Sequence, residues 1–471
     1  MRPAGHRPPS RKGHAPNRAR RRHANQRSQV IQQGVNRLRI LFVTGPWNSH
    51  LYQMVPLAWA LQSAGHEVRV ASEPGFTGSI TEAGLTAVSV GSEETLEDRL
   101  RRIRGESAPT MAAEIPPFLT DTLYEMDKDL RDGLPWEEIA WLLDTVLVPG
   151  MWIVNDEMVD DLVTYCRSWK PDLVLCDVIA HAGAVAADIV GAAHARMVCW
   201  LDLFLRIRRD FLRAQDRQPA GAHPDLVRDW YAGWAAKYGR EFNEEVVTGH
   251  FAVNVMPEQW RLEPHDRTLS MRYVPYNGRS VVPAWLYEEP RVPRVLMTFG
   301  ISKVPWIDMP GMSVDHVQQA LDSMADLDIE LIVTLSDKER EKLRRIPKNT
   351  RVVDFVPMNV LLSSCSVVIH HGGAGCFNGA MVHGVPQLII EGSVDAIAKR
   401  YVLRETGAGL SLTLDELTGP RVREYVTRLL EEDGFRQGTE RLQQEALVQP
   451  TPGALVAELE RITAEYRSHR A

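Results

Sequence analysis

Short apolar runs alternate with helix-like patterns along the first half of the chain. Leu51–Ala64 carries apolar residues at helical spacing, and Ala182–Val190 is an alanine-rich helix candidate. Strands alternating with helices in this way indicate a parallel, doubly wound sheet. The predicted strands are Arg39–Thr44, Glu67–Ala71, Ala87–Val90 and Asp172–Cys176.

A second series of the same kind begins at Arg294, after a proline-rich segment, Pro264–Pro293, that is typical of a linker. Helices are expected at Val314–Ala325 and Ala374–Val382. We therefore predict an α/β protein of two doubly wound, Rossmann-like domains that face each other across a cleft. The strands of this series are Arg294–Thr298, Glu330–Leu335, Arg351–Asp354, Val367–Ile369 and Leu388–Ile390.

One glycine-rich segment carries candidate chemistry. His370 and His371 follow a buried strand, and Gly372, Gly373 and Gly375 form a turn before the next helix. Backbone N–H groups at such a turn point outward with partial positive charge, so they can hold phosphate oxygens. His371 can donate a hydrogen bond to the same phosphates. The segment predicts a nucleotide-diphosphate site; the alternative is a closely packed turn with two satisfied histidines.

Four segments of the second half resemble the donor-binding signature of the GT-B glycosyltransferases. They are Phe355–Met358, His371–Gly375, Gly384–Pro386 and Asp395. More narrowly, the chain is similar to actinobacterial enzymes that move deoxysugars from dTDP onto polyketide aglycones. The blocks that carry this similarity are Met54–Ser72, Met271–Leu286, Val352–Leu362 and Gly407–Leu412. The resemblance runs from about Arg39 to the C-terminus.

This resemblance implies a division of labour between the domains. Residues 38–263 would bind the acceptor, 264–293 would be the linker, and 294–471 would bind the nucleotide sugar. The last helix is expected to pack back on the N-terminal domain. Further helices are predicted in residues 92–165, for example Glu137–Leu147, and one or two long helices in residues 203–247.

Donor-binding roles follow from the resemblance. Phe355 corresponds to the aromatic residue that stacks on the nucleobase, with the backbone of Val356 at the base edge; a core phenylalanine is the alternative. Ser302 follows a strand end and can donate to a phosphate, or simply form a turn. Cys376 stands where relatives carry Thr or Ser. Because a thiol is a weak donor, its backbone N–H is expected to make the phosphate contact.

Two departures from the family pattern indicate the donor. Relatives that use UDP-sugars often place a glutamate where this chain has Gly379, and relatives that bind fully hydroxylated sugars have Asp-Gln where it has Asp395-Ala396. Both changes fit dTDP and a deoxysugar, and Asp395 would also attract an aminodeoxysugar. No Gly-x-Gly-x-x-Gly follows the first strand, which argues against NAD or FAD.

The resemblance also points to a catalytic base. His50 stands six residues before Pro56, the interval of the family's catalytic histidine, and Asp177 ends a strand and matches the family's aspartate. A neutral histidine held by a carboxylate suits removal of the acceptor's proton during transfer with inversion. The alternatives are an ordinary helix residue and a helix cap. Asp326-Leu-Asp328 reads as a solvated cap, so neither a metal nor another cofactor is expected.

Composition narrows the class of protein. A length of 471 residues predicts two or three domains, and 44% hydrophobic with 24% charged residues is typical of a globular protein. No apolar run is long enough for a membrane span, and no secretory signal is visible. The cysteines are scattered, which predicts free thiols in a reducing cytoplasm and no structural zinc. They are Cys166, Cys176, Cys199, Cys365 and Cys376.

The charge is unevenly distributed. Residues 1–37 hold ten Lys or Arg and no acid; since the whole chain carries −7, the remainder carries −17. The tail is expected to be disordered. One interpretation of the tail is an arm that binds nucleic acid or another anionic surface. The interpretation that we favour is a non-structural extension, or a start codon placed too far upstream. An acidic body argues against nucleic acid as substrate.

The sequence therefore predicts an inverting hexosyltransferase of antibiotic biosynthesis, acting on a polyketide-type aglycone. A nucleotide-sugar epimerase and an inactive helper protein of the same fold are the alternatives. The resemblance also implies an activator resembling a cytochrome P450, docking near residues 92–165 or 203–247, and leaves a homodimer open. The pattern does not distinguish a macrolide from an anthracycline acceptor. Apolar acceptor-site candidates, most of them expected in the core, are Trp136, Trp141, Met151, Trp152 and Trp200.

Overall fold

The computed structural model describes residues 37–95, 98–99, 101–102, 135–219, 221, 223–261, 265, 267–300, 312–391 and 394–470, without the side chains of residues 394, 395, 397, 469 and 470. The predicted basic tail, except Arg37, and Ser302 lie outside the described residues.

The first sheet lies in the N-terminal half of the chain. Over the described residues it has seven parallel strands in the order β3-β2-β1-β4-β5-β6-β7. Chain order reverses between β1 and β4, so the switch point lies between the ends of these two strands. The strands are β1 (Arg39–Val43), β2 (Glu67–Ser72), β3 (Ala87–Ser89), β4 (Leu173–Asp177), β5 (Ala193–Val198), β6 (Phe251–Asn254) and β7 (Thr268–Ser270).

The second sheet repeats the architecture in the C-terminal half. Its six described strands are also parallel, in the order β10-β9-β8-β11-β12-β13, with the switch point between β8 and β11. The predicted pair of doubly wound domains is therefore present. The strands are β8 (Arg294–Thr298), β9 (Glu330–Thr334), β10 (Thr350–Val353), β11 (Val367–His370), β12 (Gln387–Glu391) and β13 (Gly409–Thr413).

Helices cover both sheets. Those of the first half are α1 (Asn48–Ser63), α2 (Thr77–Glu82), α3 (Trp136–Leu142), α4 (Val148–Trp169), α5 (His181–Val190), α6 (Leu203–Gln215), α7 (Leu226–Lys237) and α8 (Glu245–Thr248). Those of the second half are α9 (Val314–Ser323), α10 (Asp337–Arg340), α11 (Met358–Leu361), α12 (Ala374–His383), α13 (Val394–Thr406), α14 (Gly419–Glu431), α15 (Asp433–Leu447) and α16 (Pro452–Arg470). No described helix combines the length and the apolar character that crossing a bilayer requires.

The structure departs from the sequence prediction at several strands. Strands β5, β6 and β13 were not predicted; β5 contains the polar residues His194 and Arg196, which are nevertheless buried. In the described part of residues 203–247, α6 and α7 are the two predicted helices, and the short helix α8 follows them. Thr268–Ser270 pairs with β6 in the first sheet, although the sequence pattern places it in a linker.

The two sheets share packing across the cleft. Phe377 and Met381 on α12 belong to the same hydrophobic cluster as Trp200 and Leu201, which follow β5. Asn378, fully buried on α12, donates from Nδ2 to the carbonyl oxygen of Cys199 at 2.6 Å. The helix that begins in the glycine-rich turn is thus anchored directly on the N-terminal domain.

The last helix returns to the first domain. Leu455, Leu459 and Ile462 of α16 lie in one hydrophobic cluster with Leu51 and Leu61 of α1. The chain therefore completes the core around α1 with residues from its own C-terminal end.

Candidate active site

The first half of the site is a histidine–aspartate pair. His50 is the third residue of α1, just after β1, and Asp177 is the last residue of β4. Nδ1 of His50 lies 2.7 Å from Oδ2 of Asp177. Because β1 and β4 are adjacent parallel strands that flank the switch point, the fold itself brings together two residues that are 127 positions apart.

The surroundings of the pair fix its geometry. Asp177 is 2% exposed, whereas the His50 side chain is 26% exposed and so reaches the cleft. When Nδ1–H donates to the carboxylate, Nε2 carries the lone pair and becomes the basic nitrogen. The Trp47 ring lies 5.4 Å from the His50 ring and packs with Val154 and Ile179. The base therefore has an apolar neighbour.

Asn155 holds the loop that follows Asp177. This α4 residue is fully buried, and its Nδ2 donates to the carbonyl oxygens of Met151 (2.8 Å) and Ile179 (2.9 Å). Its Oδ1 accepts from the backbone N–H of Ala182 at 2.8 Å. The loop between β4 and α5 is thus fixed at two points just beyond the carboxylate. Sequence reasoning did not identify Asn155.

The second half of the site is the glycine-rich turn between β11 and α12. Gly372 has φ +84°, a left-handed backbone conformation that favours glycine, and Gly373 is the N-cap of α12. His371 lies between two glycines: a Cβ on Gly300 would be 2.8 Å from Cε1 of His371, and one on Gly373 would be 2.5 Å from Nε2. The close approach of Gly300, after β8, to His371, after β11, places both at the second switch point.

His370 shapes this turn. It is fully buried, with Nε2 at 2.9 Å from Oε1 of Gln387, and its Nδ1 accepts from the backbone N–H of Gly372 at 3.0 Å. The satisfied-histidine interpretation therefore holds for His370. It also means that the N–H of Gly372 is already engaged, so the predicted phosphate contacts of this loop are left to Gly373, Gly375 and Cys376. Helix N-termini leave such N–H groups without intrahelical acceptors.

His371 is neutral near pH 7. Burial lowers its pKa to about 4, the charge of Lys399 acts in the same direction, and the nearby backbone of Thr298 opposes them. Its ring can thus donate a neutral N–H to a phosphate but brings no positive charge. The charge must come from elsewhere.

Lys399 supplies a buried positive charge beneath the turn. It lies on α13, is 1% exposed, and donates from Nζ to the carbonyl oxygen of Gly372. Its ammonium group also lies 4.3 Å from the centroid of the Trp200 ring. Sequence reasoning missed this residue; a lysine one turn after Asp395 was the only available signal.

The nucleobase and thiol candidates have distinct environments. Phe355 follows β10 and is 44% exposed, which excludes the core alternative, while Val356 is buried. The role of Phe355 in stacking stays a prediction.

Cys376 is buried in the first turn of α12, and burial raises the pKa of its thiol to about 12. The thiol is therefore neutral, and its backbone N–H remains the better phosphate donor.

The remaining predicted residues divide into two groups. Asp395 belongs to α13, but its side chain, like the whole of Ser302, lies outside the described part of the structure. Asp326 pairs with Arg423 and precedes β9, at the sheet edge opposite the cleft. Among the described residues, no group of three or more His, Cys, Asp or Glu side chains is arranged to hold a metal ion.

The two halves face each other. Gln53, one turn after His50 on α1, places Nε2 3.9 Å from the position a Cβ would take on Gly375. An imidazole with a basic Nε2 and an anion-attracting helix terminus thus lie on opposite sides of one cleft. This arrangement can deprotonate one ligand while holding the phosphates of another.

Comparison with known proteins agrees with this arrangement. Residues 59–300 and 318–462 match the N-terminal and C-terminal domains described as erythromycin biosynthesis protein CIII-like. The chain is 42% identical over 432 residues to 10-deoxymethynolide desosaminyltransferase of Streptomyces venezuelae, covering 91% of this chain and 98% of that one. It is 40% identical over 443 residues to aclacinomycin-T 2-deoxy-L-fucose transferase of Streptomyces galilaeus, covering 92% and 98%.

Solved structures give the same result. The glycosyltransferase VinC, in complex with dTDP, is 33% identical with a TM-score of 0.75, covering 91% of this chain and all of that one. The spinosyn forosaminyltransferase SpnP is 36% identical with a TM-score of 0.72, covering 91% and 99%. These similarities confirm the predicted GT-B fold and the predicted family resemblance.

Proposed function

We propose a donor, an acceptor class and a mechanism for this chain, which belongs to the erythromycin biosynthesis CIII-like family of glycosyltransferases. The donor is a dTDP-deoxysugar, and the acceptor is a hydroxyl of a polyketide-type aglycone in antibiotic biosynthesis. The pairing of His50 with Asp177 opposite the glycine-rich turn carries the proposal, because it supplies a base and a diphosphate site in one cleft.

The reaction is a single displacement with inversion. The acceptor oxygen attacks C1 of the sugar as its proton passes to Nε2 of His50, and the imidazolium is stabilised by the Asp177 carboxylate. The bond between C1 and the β-phosphate oxygen breaks on the opposite face, and dTDP leaves with the electron pair. The products are the glycoside, dTDP and one proton, so the atoms balance.

Phosphate charge is handled without a metal in this proposal. The N–H groups at the start of α12, its helix dipole and the buried Lys399 all favour an anion at the turn. His371 adds a neutral donor. Unchanged turnover after exhaustive treatment with EDTA is expected, and a loss restored by a divalent cation would contradict this part.

The acceptor class rests on the relatives. The two curated relatives are named for a macrolide and for an anthracycline substrate. Beside His50, Trp47, Val154 and Ile179 form an apolar cluster in which Trp47 and Val154 are buried.

A binding and release assay tests the proposal. Calorimetry should detect dTDP binding, and incubation with a dTDP-deoxysugar should release dTDP and form a glycoside only when an aglycone is present. Release without an aglycone would favour the epimerase alternative. The absence of dTDP binding by folded protein would contradict the donor.

The protein partners stay part of the proposal on resemblance alone. We include an activator resembling a cytochrome P450, and a homodimer as the assembly state. Full turnover by the chain alone would contradict the need for an activator. Sedimentation of a monomer at assay concentration would contradict the dimer.

A further inference from the structure

Gln53 occupies an unusual place for a side-chain amide. It lies on α1, one turn beyond His50, and is 5% exposed. Its Nε2 approaches Gly375 in the first turn of α12, which belongs to the other domain. The residue therefore extends from the domain of the base to the helix terminus of the proposed diphosphate site.

The Gln53 amide is incompletely satisfied. Its Oε1 is buried and has no hydrogen-bond partner within the part of the chain that the structure describes. A buried acceptor that lacks a partner costs free energy, and no hydrogen bond of this oxygen to a described residue fixes the orientation of the amide. An amide also carries two N–H donors and no charge, so it can wait in a buried cleft at lower cost than a lysine or arginine.

We propose that Gln53 is a catalytic residue that donates its amide N–H to the β-phosphate of the donor from the acceptor-side domain. This inference rests on the proposed function. The helix terminus of α12 attracts the diphosphate, and the amide faces that terminus. The β-phosphate gains negative charge as its bond to C1 breaks, so a donor placed there stabilises the departing group.

The geometry links the two substrates. His50 and Gln53 are three residues apart on one helix, so they lie on the same face of α1. One residue receives the acceptor's proton while the other holds the leaving group. The position of α1 against the turn thus sets the places of both groups.

The test compares two ligands on three variants. Calorimetry with dTDP and with thymidine monophosphate is run on the wild type, Gln53→Leu, Gln53→Glu and the control Gln62→Glu, a partly exposed glutamine nine residues along α1. Loss of one hydrogen bond to a charged group should weaken dTDP binding by roughly tenfold or more in Gln53→Leu. Gln53→Glu should be weaker still, because it faces the phosphate with a carboxylate. Monophosphate binding and the control should change by less than about twofold, by the same argument.

The outcomes separate the two levels of the proposal. If the wild type itself does not bind dTDP, the proposed function fails. If the wild type binds and both Gln53 variants bind equally well, only this inference fails. Equal losses of affinity for dTDP and for thymidine monophosphate would place the amide away from the β-phosphate. Wild-type affinity for dTDP in Gln53→Glu would assign the role to the amide oxygen. Either result overturns this inference. Thermal unfolding shows whether each variant is folded. If Gln53→Glu does not fold, the dTDP affinity of Gln53→Leu alone decides the inference.

Discussion

Lys399 extends its ammonium group to the carbonyl oxygen of Gly372, so a buried positive charge supports the turn that faces the cleft. The same charge disfavours protonation of His371. The same charge therefore favours a phosphate at the turn and, together with burial, keeps the histidine beside it neutral.

Replacing Lys399 with methionine should separate these effects. Without the charge, the pKa of His371 should rise from about 4 toward its ordinary value, because the imidazolium is no longer repelled. Affinity for dTDP should fall by roughly tenfold, because the turn loses the buried charge and its hydrogen bond to Gly372. NMR titration of His371 and calorimetry measure the two quantities. Lys338→Met, at an exposed position on α10, is the matched control, and an unchanged pKa of His371 would contradict the coupling.

The base assignment predicts a loss of turnover without a loss of donor binding. His50→Ala should reduce kcat by ~10²–10⁴-fold, the usual contribution of a positioned base, and Asp177→Asn should reduce it because the wrong tautomer is held. Affinity for dTDP should stay within about twofold in both, since neither residue belongs to the phosphate site. His316→Ala, which alters the cap of α9, serves as control. Near-normal kcat in folded His50→Ala would exclude the assignment.

Asn155 should affect catalysis through Asp177 alone. Asn155→Ala leaves the backbone groups of Ile179 and Ala182 without a partner, so the free energy of unfolding should fall by about 2–3 kcal/mol. The β4–α5 loop should also loosen and lower kcat by roughly tenfold with little change in KM, because orientation of the dyad is lost. Asn254→Ala removes another buried asparagine of the same domain; an equal loss of kcat there would show that the effect is only destabilisation.

Acid should destabilise the protein through the paired histidines. Burial lowers the pKa of His370 to about 3 and that of His371 to about 4, both below the ordinary value near 6.5. The unfolded chain therefore binds more protons, and the free energy of unfolding should fall as the pH drops from about 6.5 toward 4, by ~1.4 kcal/mol per unit for each fully shifted group.

The variant His370→Asn tests this pH dependence. An asparagine oxygen can still accept from the N–H of Gly372, but it does not titrate. Denaturant unfolding at pH 7 and pH 5 should show a smaller difference for the variant than for the wild type. Parallel curves would rule out His370 as a source of the acid sensitivity.

Phe355 should matter for binding and not for stability. Because it is 44% exposed, Phe355→Ala should change the free energy of unfolding by less than about 0.5 kcal/mol. Loss of stacking should weaken thymidine monophosphate and dTDP alike, by roughly tenfold, and Phe355→Tyr should restore both. Tyr287→Ala, at another exposed aromatic, is the control. Unchanged affinity would return Phe355 to an ordinary surface role.

Sequence patterns predicted most of the strands whose apolar runs are uninterrupted. They failed at β5, which contains the buried Arg196. Nε and Nη2 of Arg196 each donate to the Asp202 carboxylate at 2.9 Å, and this pairing allows the guanidinium to be buried. A hydrophobicity pattern cannot contain that information, because the partner lies beyond the strand.

The same limit applies to the site. His50, Asp177 and the glycine-rich turn could be proposed from the sequence because they follow strand ends and match a family pattern, and the structure brings His50 and Asp177 together. Lys399, Asn155 and Gln53 were not found, because each is a polar residue whose burial depends on packing between distant segments. Only coordinates show which buried polar groups have partners.

The return of α16 to the first domain has a consequence for engineering. Its core contacts, together with the hydrogen bond from Gln449 to the carbonyl oxygen of Val255, make the final residues part of the N-terminal fold. A chimera that exchanges sugar specificity between two such enzymes therefore needs two junctions, one near Pro293 and a second between Leu447 and Gln449. A single crossover would transplant a foreign helix into the recipient's own core.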